Sequence, residues 1–152
     1  MKREVLISHS LQLDDQLCFA LYAASRAVTG AYRPLLDELG LTYPQYLVLL
    51  VLWERRSCPV KDLGAALQLD YGTLTPLLKR LEAAGYVRRQ RRADDERTVE
   101  VSLTEAGEAL RERARAVPPA ISRVVGLTAA QTSTLRGLLR ELTDAVNAAS
   151  KP

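Results

Sequence analysis

Residues 69 to 107 read LDYGTLTPLLKRLEAAGYVRRQRRADDERTVEVSLTEAG, and the hydrophobic period changes midway through them. Leu74, Leu77, Leu78 and Leu81 recur at helical spacing, with Asp70 placed to cap the helix start and Gly85 to stop it. From Tyr86 the pattern turns to strand. YVRRQRR (86 to 92) and RTVEVSL (97 to 103) are β-rich, and Val99, Val101 and Leu103 alternate with polar residues. Between them ADDE (93 to 96) reads as a hairpin tip. Thr104 then caps a helix rich in Glu, Arg and Ala that ends near Pro118-Pro119.

Upstream, Leu69 to Gly72 forms a turn, preceded by a short helix that starts around Pro59 and carries Val60, Leu63, Ala66 and Leu67. Before that, Thr42-Tyr43-Pro44-Gln45 is a capping box ahead of the strongly apolar YLVLLVLW. Asp14 to Thr29 reads as a helix apolar on more than one side, which calls for a partner element to bury it. Gly30 interrupts it, and Tyr32 to Leu39 forms a short helix with Pro34 in its first turn and Gly40 at its close. A last helix begins at a second capping box, Thr128-Ala129-Ala130-Gln131, and runs through Leu135, Leu138, Leu139, Leu142 and Val146.

Helix, short helix, turn, helix, basic hairpin is a winged helix-turn-helix plan, so the expected fold is mainly α with a two-stranded β wing. On the helix from 71 to 84, the leucines make the core stripe. Thr73, Thr75, Pro76, Lys79 and Arg80 fall largely on the other face, short side chains leading and cations behind. That order suits base-edge contacts at the front and phosphate contacts further along. Residues 79 to 97 hold seven basic and four acidic residues, an excess equal to the +3 of the whole chain. The hairpin alone would bring five arginines, Arg91 and Arg92 among them, to a DNA backbone. Arg97, just beyond the acidic tip, could reach a minor groove, with Asp95 orienting a neighbouring arginine.

The remaining composition excludes several classes. At 152 residues and 47% hydrophobic the chain suits one domain, or one domain with an oligomerising element. Val5, Leu6 and Ile7 are too short a run for a secretion signal, and Leu47 to Trp53, the longest apolar stretch, is far below a membrane span. A cytoplasmic protein with no membrane partner is expected. Cys18 and Cys58 then argue against a structural disulfide, and a single His at position 9 leaves no metal cluster and no implied cofactor.

Specific blocks carry a family resemblance. LDDQLCFALYAASR (13 to 26), YRPLLDELGLTYPQYLVLLVLWE (32 to 54) and GTLTPLLKRLEAAG (72 to 85) resemble the organic hydroperoxide-sensing OhrR branch of the MarR-family transcriptional regulators. DDERTVEVSLTEAG (94 to 107) is similar to the general family signature, whose Asp-x-Arg pair falls on Asp95 and Arg97. The resemblance covers about residues 11 to 117. It implies a homodimer whose N- and C-terminal helices intertwine. Residues 1–40 and 118–152 would form the dimerisation region, and 41–117 the DNA-binding region, ending in a linking helix at 104–117. It implies a non-enzymatic repressor that binds inverted-repeat operator DNA and lets go when its N-terminal cysteine, here Cys18, is oxidised by an organic hydroperoxide. Tyr32 and Tyr43 fall on the family's two tyrosines that bond the reactive sulfur across the dimer interface, and Tyr22 lies one turn from Cys18.

Two departures qualify the match. No cysteine follows Cys58, so the chain resembles the one-cysteine type, in which a low-molecular-weight thiol caps the sulfenic acid or the sulfur is over-oxidised. Tyr71 stands where the branch usually has a small Ser, a bulky phenol at the leading end of the recognition helix.

The residues themselves add chemistry to Cys18. A helix start near Asp14 favours an anion there, and Leu17, Phe19 and Leu21 would line an apolar pocket that selects organic peroxides. Cys58, before Pro59 in a polar loop, reads as an incidental, partly exposed thiol. Three rival readings stay open: a regulator released by a small phenolic or acidic ligand in the dimer crevice, a thiol peroxidase turning over at Cys18, and a purely architectural DNA-binding protein with no effector.

Overall fold

The computed structural model describes residues 9–152; the apolar run at 5–7 and the rest of 1–8 lie outside the described residues. Among the described residues, seven α-helices and three strands follow in the order α1 (Leu17–Asp37), α2 (Tyr43–Arg55), β1 (Ser57–Pro59), α3 (Val60–Leu67), α4 (Tyr71–Ala83), β2 (Val87–Arg91), β3 (Val99–Leu103), α5 (Glu105–Ala114), α6 (Val117–Val125) and α7 (Ala129–Ala149). The described residues divide into two compact units that part between Val117 and Pro118.

The caps expected from sequence form. Thr42 and Gln45 close a reciprocal capping box at α2, and Thr128 with Gln131 does the same at α7. Asp70 accepts from the Thr73 N–H at 2.7 Å, and the Thr104 hydroxyl accepts from Gly107 N–H at 3.1 Å. Each meets an N–H that the first helical turn leaves without a partner. The core of the first unit is then assembled from α2, α3, α4 and the sheet. Val48, Leu49 and Leu52 of α2, Leu63 of α3, Leu74, Leu78 and Leu81 of α4, and Val87 and Val101 of the sheet are almost wholly buried.

Four local expectations are corrected. α1 is one helix of 21 residues starting at Leu17, continuous through Gly30 and Pro34. Pro34 has no N–H for the Gly30 carbonyl four residues back, but burial of Leu36 and ring contact between Tyr32 and Tyr43 hold the helix together across that gap. Ser57-Cys58-Pro59 is a third strand in a sheet of order β1-β3-β2. Cys58 pairs with Val101 and is buried, not partly exposed. The helix capped by Thr104 ends at Ala114, and Pro118 and Pro119 lie in the first turn of a further helix, α6, where a missing N–H costs nothing.

Gly107 explains how α5 docks. A Cβ at this buried glycine would collide with the Tyr86 carbonyl, and Thr104 N–H donates to that same carbonyl at 3.1 Å. α5 therefore lies directly against the root of the β2–β3 hairpin. Gly107→Ala is expected to destabilise the fold by about 1–3 kcal/mol through overpacking. A lowered urea midpoint shows this, and an unchanged midpoint contradicts it.

Candidate nucleic-acid interface and thiol site

α4 divides its two faces as the leucine spacing requires. Leu74, Leu77, Leu78 and Leu81 are buried, while Thr73, Pro76, Lys79 and Arg80 are exposed and Thr75 is half-buried. The Thr75 hydroxyl donates to the Tyr71 carbonyl at 2.8 Å. Tyr71 is the first residue of α4 and is 66% exposed. It lines a cleft of about 420 Å³ between α3, α4 and the wing, with Lys61 and Arg97 also on its walls.

The wing spends part of its charge internally. Glu82 of α4 accepts from the Arg89 backbone N–H at 2.8 Å and from the Arg89 guanidinium at 3.0 Å, which locks the hairpin to the recognition helix. Those bonds hold the Glu82 carboxyl below the usual carboxylate range. Arg92 forms a two-point pair with Asp94 at 2.9 and 3.0 Å, and its hydrogen bonds hold Asp94 low as well. Arg91 donates to the Glu96 carbonyl at 2.9 Å. Asp95 holds neighbouring Arg97 by its backbone N–H and Thr98 by its hydroxyl, both at 3.0 Å. The five hairpin arginines therefore do not act alike: Arg89 braces the wing, and the Arg97 head, among the described residues, is free of ion pairs.

The thiol region lies elsewhere in the same unit. Cys18 is the second residue of α1 and is exposed. Its neighbours Leu17 (69%), Phe19, Leu21 and Tyr22 are exposed too, so the expected apolar pocket does not close within one chain. Tyr22 stacks under the Arg26 guanidinium at 5.6 Å. Tyr32 meets Tyr43 with ring centroids 4.8 Å apart, at the α1–α2 contact. Cys18 is not part of that pair: fourteen residues of one helix separate it from Tyr32, about 21 Å of rise.

Sequence reasoning overlooked a third ring. Tyr46 lies 5.8 Å from Tyr32 and 6.4 Å from Tyr43, and contacts Trp53 edge-on at 6.4 Å. Burial raises all three phenols, Tyr46 to about 12 with Tyr32 and Tyr43 adding to the effect, so each keeps its hydroxyl hydrogen at neutral pH. The available signal was helical spacing, with Tyr46 three residues after Tyr43 and seven before Trp53. Burial likewise pushes the Cys58 thiol up, against the pull of Arg55. Among the described residues no group of His, Cys, Asp and Glu could hold a metal ion, and no helix is long and apolar enough to cross a membrane.

Comparison with known proteins agrees with this geometry. A family model described as transcriptional regulator SarA/Rot matches residues 31–113. The organic hydroperoxide resistance transcriptional regulator of Bacillus subtilis (strain 168) is 54% identical over 111 residues, 73% of this chain and 76% of that protein. The crystal structure of overoxidised AbfR bound to DNA is 39% identical with a TM-score of 0.74, covering 88% of this chain and 94% of the other. A mutant MarR from E. coli complexed with operator DNA is 27% identical with a TM-score of 0.75, covering 83% and 92%.

Arg97→Ala is expected to reduce the salt dependence of operator binding by about one phosphate contact, whereas Arg89→Ala weakens binding and leaves that slope unchanged. Fluorescence anisotropy at several salt concentrations checks both, and equal slopes for the two variants would contradict the division. Because Glu82 is lowered by folding, its contribution is present above its unfolded value near about 4.3 and lost only as pH falls through the lower folded value. Wild type is thus expected to gain stability relative to Glu82→Gln as pH rises from about 3 to 6, measured by thermal unfolding; parallel pH curves would refute the anchor.

Proposed function

The chain belongs to the MarR family of winged-helix transcriptional regulators, in the organic hydroperoxide regulator branch, and from that premise we propose a repressor switched by oxidation of Cys18. It binds inverted-repeat operator DNA as a homodimer, with α4 in the major groove and the wing on the adjoining backbone. Tyr71, Thr73, Thr75 and Pro76 face base edges, Lys79, Arg80, Arg91 and Arg92 the phosphates, and Arg97, held by Asp95, the minor groove.

The observation that carries the proposal is the separation of Cys18 from the tyrosine pair. An exposed thiol flanked by Leu17, Phe19 and Leu21 needs a cover; Tyr32 lies too far along the same helix to supply it, and Tyr43 of α2 is packed on Tyr32. A second copy packed against α1 brings its own Tyr32 and Tyr43 to the sulfur and completes an apolar pocket around it. Exposed Leu135, Leu138 and Val146 on α7 supply further apolar surface for that pairing.

The chemistry is a two-electron oxidation. The Cys18 thiolate attacks the terminal oxygen of an organic hydroperoxide, the O–O bond breaks, and the leaving alkoxide takes a proton to become an alcohol. Sulfur is left as sulfenic acid. A low-molecular-weight thiol then displaces water from it to give a mixed disulfide. The added group displaces the tyrosine hydroxyls and changes the spacing of the two recognition helices, which must match half-sites about 34–36 Å apart. Cys58, buried in β1 with its thiol pushed up, is poorly suited to resolve the sulfenic acid, which favours a regulator over a turning-over peroxidase. A cleft of about 490 Å³ lined by Arg26, Arg33 and Tyr43 favours a second reading, release by a small acidic ligand.

Cumene hydroperoxide is expected to abolish operator binding by the wild type and to add oxygen or a thiol adduct at Cys18 by intact mass, with Cys18→Ser unaffected in a gel shift. Release that persists in Cys18→Ser would overturn the redox proposal, and ligand-driven release surviving Cys18→Ala would establish the second reading.

A further inference from the structure

We propose that α2 is a rigid strut carrying the state of the tyrosine cluster to the wing, with Tyr46 and Trp53 as its positioning residues. The inference rests on the sensor reading above. Its basis is that the two ends of one buried helix touch the two regions that the switch must connect.

At the N-terminal end, Tyr43 and Tyr46 both belong to α2 and both meet Tyr32 of α1. Tyr46 is 3% exposed, so its ring has no room to move without moving its neighbours. Trp53 follows two turns later, edge-on to Tyr46, with the wholly buried Leu49 and Leu52 between them.

At the C-terminal end, the Trp53 indole N–H donates to the Gly107 carbonyl at 2.9 Å in the buried interior. The Arg56 carbonyl accepts from the Leu103 N–H at 3.2 Å, and Arg56 pairs with Glu108 at 3.7 Å. Leu103 is the last residue of β3. Gly107 is pressed on the carbonyl of Tyr86, the residue just before β2. Both roots of the hairpin are therefore held at the foot of α2.

A helix of 13 residues is about 20 Å long, so a tilt of about 5° at the tyrosine end moves the far end by about 1.7 Å. Close packing along the shaft leaves no slack to absorb that shift, and the wing root follows it. Ordinary core packing would also bury Tyr46 and Trp53, but it does not require the indole donor to end on the residue that seats the wing.

Trp53→Phe keeps an aromatic ring and removes the N–H, and Trp53 is the chain's single tryptophan, which makes it a built-in probe. Cumene hydroperoxide should oxidise Cys18 in Trp53→Phe as in wild type by intact mass. The ratio of operator Kd between oxidised and reduced protein should fall about tenfold or more relative to wild type, whatever the variant's reduced-state affinity. In wild type, oxidation should shift Trp53 emission, and in Cys18→Ser it should not. This arm decides the matter even where Trp53→Phe fails to fold. Wild-type release with an unchanged Kd ratio in Trp53→Phe, or with unchanged emission on full oxidation, would overturn the strut and leave the sensor reading standing. Wild type that keeps its operator after Cys18 oxidation would overturn both.

Discussion

A buried donor without an acceptor costs about 1–3 kcal/mol, and the indole N–H of Trp53 lies deep in the first unit. The carbonyl of Gly107 meets it across 54 residues of sequence. That bond is available only because residue 107 has no side chain: with a Cβ, α5 would be forced off the Tyr86 carbonyl and the acceptor would move away. Helix α2, the start of α5 and the root of the wing are thus fixed together by one donor, one glycine and one close backbone approach. The leucine core of α2, α3 and α4 is organised around the shaft so defined.

The DNA-facing surface follows from how charge is spent on that frame. Arg89 is drawn back to Glu82, and the backbone N–H of Arg89 joins the same carboxylate, so the wing and α4 present one surface. Asp95 uses both carboxylate oxygens on the Arg97–Thr98 segment, which shapes the tip while leaving the Arg97 head outward. Counting arginines overstates the binding charge. What matters is which guanidinium groups already have partners.

Much of this is legible in sequence where the signal is local. The capping boxes at Thr42 and Thr128, the Asp70 cap and the α4 leucine stripe depend on residues within a few positions of one another, and all appear as expected. The misses share a different cause. Strand β1 is three residues that become a strand only by pairing with β3 some 41–45 positions away, and no local pattern in Ser57-Cys58-Pro59 records that partner. Helix α1 runs through Gly30 because packing on α2 outweighs the weak local preference for a break. Cys18 stands out by its neighbours and its resemblance, yet those neighbours are exposed and close no pocket within one chain. Tyr46 escapes a reading of the sequence because its role lies in contacts with Tyr32 and Trp53, which spacing alone suggests but does not establish.

The proposed switch requires the thiol of one copy to meet the tyrosines of another. The direct measurement is the rate of Cys18 oxidation by cumene hydroperoxide in mixed dimers. One copy carries Cys18→Ser, and its partner carries Tyr32→Phe and Tyr43→Phe. The only Cys18 then sits on the copy lacking those tyrosines and faces intact ones across the interface. It should react at the wild-type rate, while homodimers of the double variant react at least about tenfold more slowly, as expected for losing charge-assisted hydrogen bonds. A mixed dimer as slow as the double variant, or a double variant as fast as wild type, would contradict the shared site.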